Sequence, residues 1–186
     1  MPNGDVALRE EILAKESCLG GALIQVERWR VRLPDGSAAL REVVAHPGAA
    51  AVVPVDANGV VTLVRQYRAP VNELTLEIPA GKLEHRGEDP LACAMRELRE
   101  ETGLSALRWR MLTTLYTTPG FCDERIALYL ATGLSQGEAE PDGDEFLRVE
   151  RMPLREAVRR VLAGELRDGK TALGLLMAEK ALSDTI

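Results

Sequence analysis

The sequence is poor in the side chains that build histidine- or cysteine-based sites. It contains only two histidines, His46 and His85, and three cysteines, Cys18, Cys93 and Cys122. No two cysteines lie at a spacing typical of zinc ligands, and their number is odd. A zinc site and a histidine nucleophile are therefore disfavoured, and we expect reduced, partly buried thiols.

Long apolar runs and an excess of positive charge are also missing. No apolar run approaches the roughly 18 residues that span a bilayer, and the first residues lack the charged-then-apolar pattern of a signal peptide. We therefore expect a cytoplasmic protein without a membrane partner. The formal net charge is -6, whereas nucleic-acid binders usually present a basic face. A polynucleotide partner is disfavoured, and an acidic protein that acts on an anionic substrate would need metal cations.

The length and composition predict one main domain with a small β lobe before it. The 186 residues, 46% of them hydrophobic, are enough for a substantial core. Residues 22–46 are predicted to form two strands around the Pro-Asp-Gly turn at residues 33–36. A lone hairpin is marginal in water, so it should pack on the rest of the chain or on a partner subunit. We place the boundary so that residues 1–47 form the lobe and residues 48–186 the main domain.

The main domain is predicted to alternate between short strands and three helices. The central helix should cover residues 90–102, because Asp89 suits the N-cap, Pro90 the first helical position and Gly103 the C-terminal stop. Strands are predicted over residues 49–56, 60–67, 74–78, 110–117, 126–131 and 146–151, and further helices over residues 154–163 and 171–182. This order indicates an α+β fold with layers around a mixed sheet.

The central helix carries a cluster of carboxylates. At about 100° per residue, one stripe of large apolar residues, expected to face the core, contains Leu91, Met95 and Leu98. Acidic residues at i, i+3 and i+4 lie on an adjacent arc: Glu97, Glu100 and Glu101. A solvated acidic face is the common interpretation of such a pattern. However, like charges at this spacing destabilise a helix unless they are neutralised, and clustered carboxylate oxygens are what Mg²⁺ prefers.

Residues 81–104, GKLEHRGEDPLACAMRELREETGL, resemble the Nudix box. The family pattern is Gly, five residues, Glu, seven residues, then Arg-Glu-apolar-any-Glu-Glu-any-Gly-apolar. The half from Glu88 to Leu104 matches in full. One departure is that six residues, not five, separate Gly81 from Glu88. The extra residue lies in the loop before the helix, which leaves the helix register intact but the loop geometry unpredicted. His85, in that loop, is expected to be an exposed residue.

Segments outside the box resemble the ADP-ribose pyrophosphatase branch of the Nudix family. They are LVRQYRAP, EIPAG, TTPGFCDE, DGDEF and DGKT, which begin at residues 63, 77, 117, 142 and 168. In that branch a proline stands sixteen positions after the box glycine, and Pro119 stands sixteen after Gly103. The resemblance spans about residues 22–182. It implies an α/β/α sandwich around a mixed sheet, and a homodimer to which the N-terminal β lobe contributes.

The same resemblance implies roles for individual residues. The metal ligands would be the backbone carbonyl of Ala80 and the carboxylates of Glu97, Glu100 and Glu101, with Arg96 orienting the carboxylates. The substrate-binding residues would be Arg68 on the diphosphate, Glu77 beside it, and Arg41 and Pro119. The candidate catalytic carboxylates are Glu145, as base or water-orienting group, and Glu100. The alternatives are an ordinary surface arginine at position 68 and simple loop acidity at position 145.

The implied reaction is hydrolysis of ADP-ribose to AMP and ribose 5-phosphate, with Mg²⁺, or Mn²⁺ in its place, as the metal. One alternative is a Nudix pyrophosphatase for another nucleoside diphosphate derivative, such as a nucleotide sugar or a dinucleoside polyphosphate. Another is a Nudix-like ligand sensor without catalysis. Such a sensor should have lost box carboxylates or gained a DNA-binding domain, and this sequence keeps the carboxylates.

Overall fold

The computed structural model describes residues 5–21, 24–139 and 146–184. The chain divides into two compact units, one of Met1–Pro47 with Thr118–Glu124 and one of Gly48–Thr117 with Arg125–Ile186. No feature of the sequence indicated that residues 118–124 belong with the N-terminal segment. No helix among the described residues is long and apolar enough to cross a membrane.

The first unit contains a three-stranded antiparallel sheet in the order β1-β2-β3. A short 3-10 helix (Asp5–Leu8) precedes β1 (Glu11–Gly20), β2 (Gln25–Arg32) and β3 (Ala38–Ala45). The predicted turn between β2 and β3 is confirmed, with Gly36 in the left-handed region at φ 86°. Strand β1 was not predicted from the sequence. All ten residues of β1 are exposed, so no burial pattern marked this strand in the sequence.

The second unit contains a seven-stranded mixed sheet. Its order is β10-β5-β4-β9-β8, with β6 on β5 and β7 on β4. The strands are β4 (Ala49–Val55), β5 (Val60–Arg68), β6 (Glu73–Glu77), β7 (Ala80–Lys82), β8 (Leu104–Tyr116), β9 (Arg125–Gln136) and β10 (Leu147–Pro153). Strand β4 runs parallel to β9, and all seven of its residues are buried. A continuous apolar run is what a central strand covered on both faces requires.

Three helices cover the two faces of this sheet. They are α1 (Pro90–Thr102), α2 (Leu154–Leu162) and α3 (Gly169–Ser183). On one face, α1 packs Leu98 against Val52. On the other face, α2 and α3 pack Val158 and Leu175 into a cluster with Leu63. The expected α+β class and its α/β/α layering are confirmed, with helix boundaries within two residues of those predicted.

The buried face of α1 differs from the predicted stripe. Leu98 is fully buried, but Met95 is 48% exposed. The helix instead buries the small residues Cys93 and Ala94 together with two of the acidic residues. Small side chains let the helix lie close to the sheet, so the contact face is rotated away from the large apolar residues. The carboxylates are thereby drawn into the interior.

Candidate functional site

The acidic helix α1 begins and ends as its sequence requires. Asp89 accepts a hydrogen bond at its Oδ1 from the Leu91 amide at 3.0 Å, and Pro90 occupies the first turn. Gly103 closes the helix in the left-handed conformation, with φ 70°, and donates its amide to the Arg99 carbonyl at 2.8 Å. These two ends fix the register in which the glutamates face the sheet.

The loop with one additional residue is closed by the box glutamate. The Glu84 amide donates to the Glu88 carboxylate at 2.6 Å, and the Glu88 amide donates to the His85 carbonyl at 3.1 Å. The additional residue therefore lies in a turn that is closed by hydrogen bonds of Glu88 before the helix begins. His85 is exposed, as expected, and its Nδ1 accepts a hydrogen bond from the Gly87 amide at 3.2 Å.

Two of the three predicted metal-binding carboxylates are buried rather than solvated. Glu101 is 2% exposed and Glu97 is 8% exposed. Arg96 lies between the acidic side chains, with Nη1 2.6 Å from Glu97 and 3.1 Å from Glu100, and its Nη2 is 3.7 Å from Glu88. The interpretation of α1 as a merely solvated acidic face is therefore wrong for its inner carboxylates.

The short strand β7 brings main-chain atoms to these carboxylates. The Ala80 amide donates to Glu101 Oε2 at 3.2 Å. A methyl group on Gly81 would collide with the Glu97 carboxylate and displace it, so glycine here lets the main chain lie directly against that carboxylate. Within the described residues, no three acidic, histidine or cysteine side chains are already arranged to hold a metal ion. The donor set of carboxylate and carbonyl oxygens nevertheless suits a hard divalent cation.

Cys93 lies under this arrangement and does not behave as a reactive thiol. Its Sγ approaches the carbonyls of Gly81 and Lys82 at 3.6 and 3.4 Å. Burial and the nearby Glu97 carboxylate raise the pKa of the thiol to about 12. A thiol with so high a pKa stays protonated and serves packing.

A second charged cluster surrounds Glu77 at the end of β6. Glu77 is 2% exposed. Arg68 donates two hydrogen bonds to this carboxylate, from Nε at 2.9 Å and from Nη2 at 2.8 Å. Thr75 donates its hydroxyl at 2.6 Å, and the Lys170 ammonium contacts Oε2. Burial alone would raise the pKa of Glu77, but Arg68, Lys170 and Thr75 lower it to about 2.

The other predicted site residues lie elsewhere in the chain. Arg41 and Pro119 belong to the first unit. Arg41 pairs with Glu10, with 3.1 Å between Arg41 Nε and a carboxylate oxygen. Pro119 lies in a loop that is joined to β3 by a hydrogen bond, which the Val44 amide donates to the Phe121 carbonyl at 2.7 Å. Glu145 lies outside the described residues.

The sequence did not predict that the N-terminus of α3 lies beside Glu77 and contributes charged side chains there. Lys170 contacts Glu77, and Asp168 lies 3.0 Å from the Lys170 ammonium. The motif Asp-Gly-Lys-Thr was visible as the start of a helix. Its position beside Glu77, 93 residues earlier, could not be seen in the sequence, because it depends on where α3 packs against the sheet.

The chain is similar in sequence and in fold to several known proteins. Residues 45–172 match the model of the NUDIX domain. The chain is 43% identical over 171 residues to an ADP-ribose pyrophosphatase of Bacillus subtilis (strain 168), covering 91% of this chain and 92% of that protein. It is 40% identical over 177 residues to the Methanol dehydrogenase activator of Bacillus methanolicus, covering 93% and 95%. A crystal structure of an ADP compounds hydrolase shares the fold, with a TM-score of 0.82 and 23% identity over 96% of this chain and 97% of that one. The protein belongs to the NUDIX family.

Proposed function

We propose that this protein hydrolyses the diphosphate bond of ADP-ribose to AMP and ribose 5-phosphate, with Mg²⁺ as its metal and Mn²⁺ able to replace it. The observation that carries the proposal is the burial of Glu97 and Glu101 on α1, beside the main chain of Ala80 and Gly81. These buried carboxylates are paired with Arg96 and the Ala80 amide, and together with main-chain carbonyl oxygens they form a donor set that suits a hard divalent cation. The similarity to an ADP-ribose pyrophosphatase along nearly the whole chain supports the substrate.

The metal would be held by the Ala80 carbonyl and by the carboxylates of Glu97, Glu100 and Glu101. Arg96 and the Ala80 amide orient these carboxylates through the contacts described above. Pre-oriented ligands lose little conformational freedom on binding a cation. When bound, the cation neutralises the diphosphate and lowers the pKa of an attacking water.

The remaining steps fall to side chains of this chain. Water attacks one phosphorus, the bond from that phosphorus to the bridging oxygen breaks, and the bridging oxygen leaves with the other phosphate. Arg68 suits the diphosphate because a guanidinium fork matches phosphate oxygens, and Glu77 lies directly beside it. We assign Glu145 or Glu100 to take or steer the proton of the water. Substrate contacts from Arg41 and Pro119 stay predictions.

A substrate panel with product identification tests this function. ADP-ribose, a GDP-sugar and a dinucleoside polyphosphate are incubated with Mg²⁺, with Mn²⁺ or with excess chelator, in ¹⁸O-labelled water. We expect AMP and ribose 5-phosphate only when a divalent cation is present, with the label on the phosphate that was attacked. Undiminished turnover after exhaustive chelation would overturn the metal assignment. Rapid cleavage of another derivative with ADP-ribose untouched would overturn the substrate assignment and favour the alternative pyrophosphatase.

The similarity to the Methanol dehydrogenase activator favours a second candidate, activation of a methanol dehydrogenase. The panel separates the two when it is run beside a dehydrogenase assay. Stimulation of a methanol dehydrogenase by the parent but not by the Glu101→Gln variant would assign this second role to the same hydrolytic site. No stimulation together with rapid ADP-ribose hydrolysis would exclude it.

We also propose a homodimer in which the N-terminal lobe contacts the catalytic domain of the other subunit. Its sheet exposes Ile12, Leu19 and Leu40 in β1 and β3, an apolar set that favours a covering surface. Trp29 is already flanked on one ring face by the Lys15 ammonium at 3.9 Å. Light scattering of the intact protein tests the dimer, and a fully active monomer at micromolar concentration would refute it. The cytoplasmic location stays a prediction.

A further inference from the structure

The two cations that hold Glu77 differ in their access to solvent. The Lys170 side chain is 11% exposed, whereas the Arg68 side chain is 42% exposed. Both reach the same buried carboxylate, and Arg68 makes the two-point contact. The more exposed Arg68 side chain is therefore the one that can turn towards a ligand, while the Lys170 side chain stays largely buried.

Lys170 is held in place by the first turn of α3. Asp168 caps this helix by accepting a hydrogen bond from the Thr171 amide at 3.0 Å. The same carboxylate oxygen, Oδ2, lies 3.0 Å from the Lys170 ammonium. The Thr171 hydroxyl in turn accepts a hydrogen bond from the Ile78 amide at 3.0 Å. The residue next to Glu77 is thus bonded directly to the helix start that carries Lys170. This arrangement fixes the ammonium relative to the Glu77 carboxylate.

We propose that Lys170 is a positioning residue that keeps Glu77 neutralised and so frees the Arg68 guanidinium to bind a phosphate group of the substrate. The inference rests on the proposed function, through the contact of Arg68 with a diphosphate. Lys170 itself does not touch substrate. It acts by determining how much of the Arg68 charge is available.

The physical reason is the cost of leaving a buried carboxylate without a counterion. If Arg68 were the sole cation beside Glu77, turning it towards a phosphate would strand the carboxylate in the interior, which is strongly unfavourable. With Lys170 in contact, Glu77 keeps a positive partner when Arg68 moves. Replacing Lys170 by a neutral residue would bind Arg68 more tightly to Glu77 and weaken its contact with the substrate.

A double-mutant cycle in the full-length enzyme tests this coupling. The variants are Lys170→Met, Arg68→Met and the pair, with Lys180→Met as control, since Lys180 lies on the same helix but is 74% exposed and pairs with Asp184. We expect Lys170→Met to raise KM about tenfold while kcat stays within about threefold, the pattern of lost substrate binding. In the Arg68→Met background the same change should have no further effect on KM. Lys180→Met should match the parent.

Other outcomes decide against the proposal. Equal increases in KM from Lys170→Met in both backgrounds would show that Lys170 does not act through Arg68. So would a KM unchanged in Lys170→Met. Melting temperatures identify variants that fail to fold, and in that case Lys170→Gln, which keeps a hydrogen-bond donor without the charge, takes the place of the methionine variant. Lys170→Arg should restore much of the parental KM, because it returns the positive charge.

The cycle is also separable from the proposed function. KM is measured with whichever nucleoside diphosphate derivative the parent cleaves fastest. If that compound is not ADP-ribose, the substrate assignment fails while the coupling between Lys170 and Arg68 can still be present. If the parent cleaves ADP-ribose and the changes are additive, the function stands and the positioning role is wrong.

Discussion

The two charged clusters of the second unit have central groups of opposite charge. Around Arg96, one guanidinium lies among three carboxylates, those of Glu88, Glu97 and Glu100. Around Glu77, one carboxylate lies between the two cations Arg68 and Lys170. In the first cluster the three carboxylates outnumber this guanidinium, and a divalent cation is the ligand that we propose for them. The second is satisfied on its own and holds a guanidinium that can be directed at an anion.

The pKa values of the central groups follow from this difference. Burial would lower the pKa of Arg96, but Glu97 and the hydrogen bonds to the neighbouring carboxylates raise it above its usual value. Burial would raise the pKa of Glu77, but its cations hold it at about 2. In each cluster the neighbours of opposite charge keep the central group ionised. A divalent cation and a phosphate are the ligands that we propose for the two clusters.

The largest expected effect comes from removing the charge of Glu101, a buried carboxylate on the same helix as the first cluster. Glu101→Gln keeps the shape of the side chain but removes a charge that the metal needs, so we expect turnover of ADP-ribose to fall on the order of 10³-fold or more. Steady-state kinetics measures the loss. Glu165→Gln serves as the control, because the Glu165 side chain lies in the turn after α2 and is 56% exposed. Turnover within about threefold of the parent would show that the acidic cluster has no catalytic role.

Neutralising Glu77 at the centre of the second cluster should act mainly on stability. Glu77→Gln leaves Arg68 and Lys170 close together without the carboxylate between them, although Lys170 keeps its contact with Asp168. We expect the free energy of unfolding to fall by about 3 kcal/mol, since Arg68 can still turn to solvent. Denaturant unfolding measures this change. The matched control is Glu73→Gln on the same strand, whose side chain is 48% exposed in its pair with Arg167. A loss no larger than that of the control would mean that the buried pairing contributes little.

Divalent cations should distinguish the clusters directly. Binding to the folded state at a concentration one hundred times Kd stabilises by about 2.7 kcal/mol, so we expect Mg²⁺ to raise the melting temperature of the parent by several degrees. The shift should largely disappear in Glu97→Gln and persist in Lys170→Met. Calorimetry at constant ionic strength provides the measurement. An equal shift in the parent and in Glu97→Gln would contradict a cation site at the carboxylates of α1.

The smallest expected effect is a pH dependence at a third, more exposed pair. Arg65 binds Glu150 through Nε at 2.6 Å, and with Arg148 it lowers the pKa of Glu150 to about 2. Because the folded pKa lies below the unfolded value of 4.5, the pair stabilises the fold above pH 4.5, and this contribution is lost as the pH falls from 4.5 towards 2. Glu150→Gln should therefore flatten that part of the stability profile, by less than about 1 kcal/mol for so accessible a pair. Acid titrations of the parent and of Glu150→Gln, followed by circular dichroism, provide the measurement. Equal slopes of stability against pH in the two proteins would show that the pair does not contribute.

Local chemistry made much of the fold predictable. The limits of α1 follow from Asp89, Pro90 and Gly103, whose effects on the backbone depend on immediate neighbours. The turn at residues 33–36 and the apolar strand β4 were predictable for the same reason. Strand β1 was not, because it is held by backbone pairing with β2 while all its residues are exposed. No side-chain periodicity records such pairing.

The sequence by itself determined the family, the α+β class and the acidic residues that α1 presents, because motif spacing and helix periodicity are local properties of the chain. Only the tertiary structure decided which of those residues are buried, since the small side chains of Cys93 and Ala94 rotate α1 so that Glu97 and Glu101 face inwards. It also decided that Lys170 meets Glu77 across 93 residues. Contacts of that kind depend on how helices pack on a sheet, and the shape of a packed interior is a property of the whole chain.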